Sequence, residues 1–380
     1  MKRIFFVLLF SLIATALLCQ RKHPKTIRGY NFQSENDVFS GLLGFKNEDK
    51  DYSGSFKFEF YTDYLNNGIF PFFKNRSEDR RGHEPTYLNF NSIYVAGMGF
   101  TPNRNAFAET RPVVTQRPYG SLIGIGRRRV AVFNKDALSI ESDLFIGQIG
   151  TKGAGKVQNF LHEYLTNSDY VAGWPNQIGN GGRWVGNYRV RANIGLNNRV
   201  LKWFGKKARY HDVNVYAEPH VSVGNVFVNT GLGVSLTDRD PQSKCIFTAM
   251  GSNNLNVLSA IGDAYKKMSK DGKLKNNFLM HFDWELYAKY QYVFHNTLLM
   301  GLPFRDNSIY VIPDRNIYSN VYDFGAKVMF NYYPEPGNAL RRHTTAYFEV
   351  VYRSKEFSYH TSHVFGNIGV TIFLLGQKTI

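Results

Sequence analysis

The stretch "HFDWELYAKYQY", His281 to Tyr292, alternates without a break. One set of alternate positions holds Phe282, Trp284, Leu286, Ala288, Tyr290 and Tyr292, and the other holds His281, Asp283, Glu285, Tyr287, Lys289 and Gln291. A period of two is the mark of a β-strand whose two faces meet different surroundings. The same alternation recurs in "SFKFEF", where Phe56, Phe58 and Phe60 oppose Ser55, Lys57 and Glu59. It recurs again in "NYRVRANI", with Tyr188, Val190, Ala192 and Ile194 against Asn187, Arg189, Arg191 and Asn193, and in "YDFGAKVMF" and "TAYFEVVYR". Two architectures use such strands. A soluble sandwich buries the apolar face against a second sheet, whereas a membrane barrel turns it to lipid and keeps the polar face inside.

The rest of the chain favours the barrel. Lys2 and Arg3 precede an apolar run from Ile4 to Leu18 that is shorter than the about 20 residues a spanning helix needs. With Ala14-Thr15-Ala16 as a cleavage site, residues 1–19 read as a secretory signal peptide, and residues 20–380 as one exported barrel domain. Cys19, just after the apolar run, also allows a lipoprotein reading, although Leu18 stands where a small residue is expected. Only Cys19 and Cys245 occur, so the exported chain has no disulfide framework. Aromatic content is 16%, no second apolar run is long enough to span, and mean hydropathy is -0.32. The net charge of +16 comes without a recognition helix or zinc-ligand pattern. On an exported protein the basic residues suit lipid phosphates or a solvated surface rather than nucleic acid.

Alternation and turn signals give thirteen strands, near 30–39, 53–62, 86–99, 119–133, 137–148, 185–196, 210–223, 226–237, 277–292, 294–303, 321–332, 343–354 and 361–374. A bacterial single-chain barrel has an even number, so one is surplus, and the 210–237 region is where the error is expected. With a periplasmic start, the connections at 40–52, 100–118 and 149–184 all lie on the outer rim. The last of these contains "GTKGAGKVQNFLHEYL", Gly150 to Leu165. Gly150, Gly155 and Lys156 have P-loop spacing, but Val157 replaces the magnesium-binding Ser or Thr, and a barrel rim lacks the buried parallel strand. A nucleotide is therefore not expected. "QNFLHEYL" predicts a short helix with an apolar stripe of Phe160, Leu161, Tyr164 and Leu165.

Polar groups gather on the same rim: Glu35, Asn36 and Asp37 at the end of strand one, Asp51 and Ser53 at the start of strand two, and Arg117 and Tyr119 before strand four. The loop helix adds Gln158 and His162 one turn apart. Carboxylate, hydroxyl, amide, arginine and histidine on one rim suit a hard cation beside a general base. The same residues are also ordinary turn and edge chemistry, and His162 is one of 10 histidines.

In order along the chain stand "SENDVF", "DYSG", "GFTP", "RPYG", "QNFLH", "GWPNQI", "VSVGN", "FHNTLLMG" and "RSKEF…FGNIGVTIF". In these motifs and their order, over roughly residues 30 to 374, the sequence resembles the outer-membrane lipid A 3'-O-deacylases of the LpxR type. The resemblance implies an all-β, antiparallel transmembrane β-barrel of 12 strands with a short helix in an outer loop. It implies an outer-membrane enzyme, its site facing the cell exterior, that hydrolyses the ester-linked 3' acyl chains of lipid A with Ca²⁺. Lipid A or lipopolysaccharide is the substrate and outer-membrane lipid the surroundings. Residue by residue, it makes His162 the base that activates water, with Asn36 and Gln158 supporting the catalytic site. Asp37, Ser53 and Asp169 become metal ligands, and Arg117 and Tyr170 substrate contacts. Gly54-Ser55 stands where the family has Asn-Gly, and Gln116 where it has Lys. A non-enzymatic barrel, either a pore or a lipopolysaccharide-binding protein, is the alternative, and phospholipid the alternative substrate.

Overall fold

The computed structural model describes residues 27–36, 51–62, 87–103, 109–112, 116–133, 138–166, 170–196, 213–237, 279–303, 308–333 and 342–374. The expected signal peptide and both cysteines lie outside the described residues. Twelve antiparallel strands form a closed barrel in which each strand pairs with its sequence neighbours and the last returns to the first. They are β1 (Ile27–Asn36), β2 (Asp51–Thr62), β3 (Tyr87–Asn103), β4 (Gly120–Phe133), β5 (Leu138–Ile149), β6 (Arg183–Gly195), β7 (Asn214–Gly224), β8 (Phe227–Thr237), β9 (Leu279–Asn296), β10 (Asn320–Tyr333), β11 (Arg342–Arg353) and β12 (His363–Leu374). The β1–β12 ladder runs from Gly29 opposite Phe373 to Asn36 opposite Gly366.

The barrel is inside-out relative to a soluble protein. Along β9, Phe282, Leu286 and Tyr290 are exposed on the outer wall, while Asp283 is buried in the lumen. Neighbouring strands repeat this, with Phe56, Ile93, Ile123, Ile146, Leu232, Phe324 and Ile368 outside, and Ile125 as much as 61% exposed. Inside, charges and amides pair across the lumen. Fully buried Glu59 accepts from Arg128 Nε (2.9 Å), Lys57 Nζ (3.2 Å), Asn31 Nδ2 (3.3 Å) and Ser92 Oγ. Arg191 and Arg189 hold Glu141 at 2.7 and 3.3 Å, and Arg353 grips Asp323 through two nitrogens at 2.8 and 3.0 Å. Only lipid outside makes an exposed apolar wall around a polar interior favourable, so the alternation places this chain in a membrane.

The surplus strand lies elsewhere than expected. The 210–237 region holds two true strands, β7 and β8, joined by a two-residue turn at 225–226. The segment expected as an independent strand at 294–303 is instead the end of β9 followed by one helical turn, α2 (Thr297–Met300). Asn296 causes the switch, because its side chain accepts the Leu298 N–H and caps the turn. The turn then drives Leu298 into the mouth of the barrel. There it joins Leu122, Ile149, Ile178, Val185 and Val226, with Met98, Phe100, Phe145, Phe227, Leu302 and Val311 packed around them. Leu299 joins Ile312 and Phe357 in an adjoining cluster. Ile312 N–H donates to Leu299 O at 2.8 Å, and Tyr318 N–H to Glu356 O at 2.9 Å. These described residues fill one end of the lumen with apolar side chains above the ion-pair layers.

Replacing Glu59 with Ala strands Arg128 and Lys57 without their shared counter-ion in the lumen. The Glu59→Ala barrel is expected to lose about 3 kcal/mol, read as a lower urea midpoint in detergent micelles, while Phe32→Ala on the outer wall changes it far less.

Candidate functional site

At the filled end of the barrel, Gly150 ends β5 in the left-handed region (φ 75°), where a Cβ would overlap the Gly179 carbonyl. That sharp turn throws the chain over the rim and onto the outside of the wall. Helix α1 (Lys152–Leu161) follows, and the chain continues through a wide π-helical turn, His162–Thr166. The helix begins six residues earlier than "QNFLHEYL" suggests, at the glycine-rich stretch. As a P-loop would, it follows a strand, but β5 pairs antiparallel with both β4 and β6.

The helix is fixed to the wall by its smallest residues. A Cβ on Gly155 would lie 2.6 Å from Trp174 Cγ, so only glycine lets the indole pack flat against the backbone. The indole also reaches Gly99 of β3, 3.4 Å from where a Cβ there would stand, and packs on Tyr119 with ring centroids 5.5 Å apart. Trp174 Nε1 donates to Gln158 Oε1 at 2.9 Å. The Asn159 amide grips Val171 twice, accepting its N–H (2.8 Å) and donating to its C=O (3.1 Å). The return segment is sewn to the wall by Ser121 Oγ, 2.7 Å from Gln177 Oε1, and by Ile178 N–H donating to Tyr119 O (2.9 Å).

His162 lies seven residues after Gly155, two helical turns on and therefore on the same face. Its N–H is shared between the carbonyls of Gln158 and Asn159, and the residue is only 6% exposed. The histidine thus faces a crevice between α1 and the outer surface of the barrel. The strand register extends the rung of Gly99 and Ser121, where the helix and its return segment pack on the wall. Gly366, Asn36, Gly54, Gly99 and Ser121 stand opposite one another across β12, β1, β2, β3 and β4. One row below the rung of Gly54 and Gly99, Phe56 fills the space over Gly97, and Ile123 stands opposite Gly97 on the exposed wall. The crevice therefore opens directly onto the lipid-facing surface.

The structure brings together some of the residues expected at the site. His162, Gln158 and the backbone of Asn36 belong to the crevice and its row. Ser53 stands opposite Phe100, next along β2 from Gly54. Tyr170 is 71% exposed beside the return segment. Arg117 belongs to a different compartment. It is buried, its guanidinium lies 4.7 Å from the Phe100 ring centroid, and it pairs with Glu356 in the connection between β11 and β12. Asp37 and Asp169 lie outside the described residues. Among the described residues, no group of three or more His, Cys, Asp or Glu side chains is placed to hold a metal ion. The expected ligands are nevertheless hard oxygen donors, and Asp37 and Ser53 adjoin the paired residues Asn36 and Gly54. That donor chemistry fits Ca²⁺.

Sequence reading passed over Trp174, Asn159, Gly155 and Glu356 as working parts. Trp174 and Glu356 do lie inside recognisable motifs, "GWPNQI" and "RSKEF". Nothing local to either motif says that an indole will carry a helix or that a glutamate will latch an arginine from across the barrel. Of the stripe expected from Phe160, Leu161, Tyr164 and Leu165, Tyr164 is exposed and Phe160 half-buried, while the side chains of Leu161 and Leu165 lie outside the described residues; Ala154, Gly155 and Gln158 pack with Trp174 at the wall.

Burial would raise the Glu356 carboxyl, but Arg117 and then Arg353, with His363 and His360, outweigh it and hold the group at about 2 against the usual 4.5. A carboxyl lowered in the folded state contributes stability that is complete above its unfolded value and lost as pH falls through the folded one. The urea midpoint should therefore fall between pH 4.5 and about 2. Glu356→Gln should be less stable at neutral pH and converge with the wild type at the acid end. A second test concerns the helix: Gly155→Ala should speed tryptic cleavage after the exposed Lys152 and Lys156 while leaving the urea midpoint of the barrel unchanged.

A family model described as outer membrane protein LpxR matches residues 4–374. Among solved structures, LpxR from Salmonella typhimurium aligns with a TM-score of 0.60 at 15% identity, covering 91% of this chain and 100% of that one. The β domain of the Bordetella autotransporter BrkA aligns at 0.40 and 8% identity, covering 91% and 98%. Outer membrane phospholipase A from Escherichia coli aligns at 0.26 and 11%, covering 92% and 97%. A search of curated proteins finds no match.

Proposed function

The chain belongs to the LpxR family of outer-membrane proteins, and on that premise we propose that it removes the 3'-linked acyl chains of lipid A by Ca²⁺-dependent ester hydrolysis in the outer leaflet. The observation that carries this reading is the position of the crevice. A buried histidine falls on the side of α1 that Trp174 joins to the outer wall, and that wall carries exposed apolar residues, so the ester of a lipid would reach it without leaving the membrane. A pore needs an open lumen, and here the described residues pack an apolar cluster into one end of it.

His162 is the general base. Its imidazole nitrogen takes a proton from water as the water oxygen bonds to the ester carbonyl carbon. When the tetrahedral adduct collapses, the C–O bond to the sugar breaks, and the leaving oxygen receives that proton from the imidazolium. The products are a free fatty acid and a 3'-hydroxyl. Asp37, Ser53 and Asp169 would hold Ca²⁺, which when bound would supply electrophilic stabilisation of the developing oxyanion. Gln158 acts through Trp174, keeping α1 and so His162 at its distance from the wall. Asn36 lines the row between β12 and β2 and supports the ligand beside it. Tyr170 meets the exposed sugar side. Arg117, paired with Glu356 inside the barrel mouth, ties the segment before β4 to the β11–β12 connection and has a structural role.

Mass spectrometry of lipid A incubated with the refolded protein tests this. A loss of the 3'-linked acyl mass is expected with Ca²⁺, and none with EDTA. His162→Ala is expected to lower the rate by about 10²–10⁴-fold with an unchanged barrel by heat-modifiable gel migration. No acyl loss from folded wild-type protein in Ca²⁺ would overturn the reading, and release of fatty acid from phospholipid instead would reassign the substrate.

A further inference from the structure

The face of α1 turned away from the wall carries a set of residues that the crevice does not use. Val157, Phe160 and Tyr164 fall at i, i+3 and i+7, opposite Gly155 and His162 on the helical wheel. Val157 is 41% and Tyr164 43% exposed, and the Phe160 and Tyr164 rings touch with centroids 4.9 Å apart. An exposed apolar stripe of this kind is unfavourable in water. The remaining flank of the same helix is polar: Lys152, Lys156 and Glu163 are exposed and lie along one edge. The helix is therefore amphipathic twice over, with one apolar side against the barrel and a second apolar side beside a charged edge.

Its height on the barrel says what meets that second side. The wall beneath the helix becomes exposed and apolar at Ile123 and Phe56, so lipid begins at the lower edge of the crevice. Trp184, 71% exposed at the start of β6, stands opposite Gln148 of β5, four residues before Lys152. An exposed indole at a strand end marks the headgroup level of a bilayer. The start of α1 thus lies close to that level, one row from Trp184 along the wall.

We infer that α1 is an interfacial helix whose outward stripe of Val157, Phe160 and Tyr164 rests in outer-leaflet lipid. The crevice is then bounded by the barrel on one side and by a helix held between protein and membrane on the other. Lys152 and Lys156 sit at the depth of lipid phosphates and add electrostatic attachment. This placement rests on the barrel and the geometry of α1, and it stands whether or not His162 is the base.

Site-directed spin labelling tests it without an activity assay. The full chain carrying Cys19→Ser and Cys245→Ser would receive a nitroxide at Val157→Cys or Tyr164→Cys. Ile125→Cys would serve as the lipid reference and Lys152→Cys as the water reference. Each variant is refolded into phosphatidylcholine vesicles containing lipopolysaccharide and checked for heat-modifiable migration. The ratio of oxygen to nickel-chelate accessibility at 157 and 164 is expected to match position 125 and to exceed position 152 several-fold. If either 157 or 164 behaves like position 152, the stripe faces water and the inference fails. A folded Lys152 label that matches position 125 would overturn it too, since the charged edge would then be buried.

Discussion

Every feature of this protein depends on one constraint: in lipid, each backbone N–H and C=O must find its partner within the protein. An antiparallel sheet meets that constraint only by closing, and here β1 meets β12 over eight registered pairs. Closure fixes which side of each strand is inside. Once that is fixed, period-two alternation places Glu59, Glu141, Asp283 and Asp323 in the lumen and Phe56, Ile125 and Phe324 in lipid. The charges are then buried, and they appear as shared sets. Glu59 serves two cations, and two arginines converge on Glu141.

The same closure leaves the outer surface of the wall as the place where membrane lipid and protein side chains meet. A soluble protein sinks its clefts into its core, but here an apolar cluster packs one end of the interior. The crevice is instead built by folding one long connection back over the rim. Small residues make this possible. Gly155 and Gly99 allow an indole to lie between helix and strand, and Trp174 in turn sets how far His162 stands from the wall.

Much of this was legible in the sequence because period two survives any tertiary arrangement. "HFDWELYAKYQY" declares both faces of β9 by itself. The end of β9 was not legible. "FHNTLLMG" is nearly all apolar, and it turns inward because Asn296 caps the turn and because Leu122, Ile178 and Val226, all distant in sequence, wait in the mouth. The helix was legible but its anchor was not, since a helical period reveals an apolar stripe without saying which side a remote tryptophan will claim. Arg117 was grouped with the rim residues by position along the chain. The structure pairs it with Glu356, 239 residues later, a partner that no local pattern announces.

The rung of Gly99 and Ser121 runs on through Asn36, which stands between Gly54 on one side and Gly366 on the other. It therefore crosses the seam between the first strand and the last, where Thr371 Oγ1 donates to Asn31 Oδ1 across 340 positions of sequence. Contacts of such long sequence separation bear the largest loop-closure entropy. A chain whose seam is still open lacks the far end of that rung, however well its other strands have paired. The continuous outer surface on which α1 rests is thereby finished only when the ring is, and the pairing that finishes it is the one with the highest closure cost.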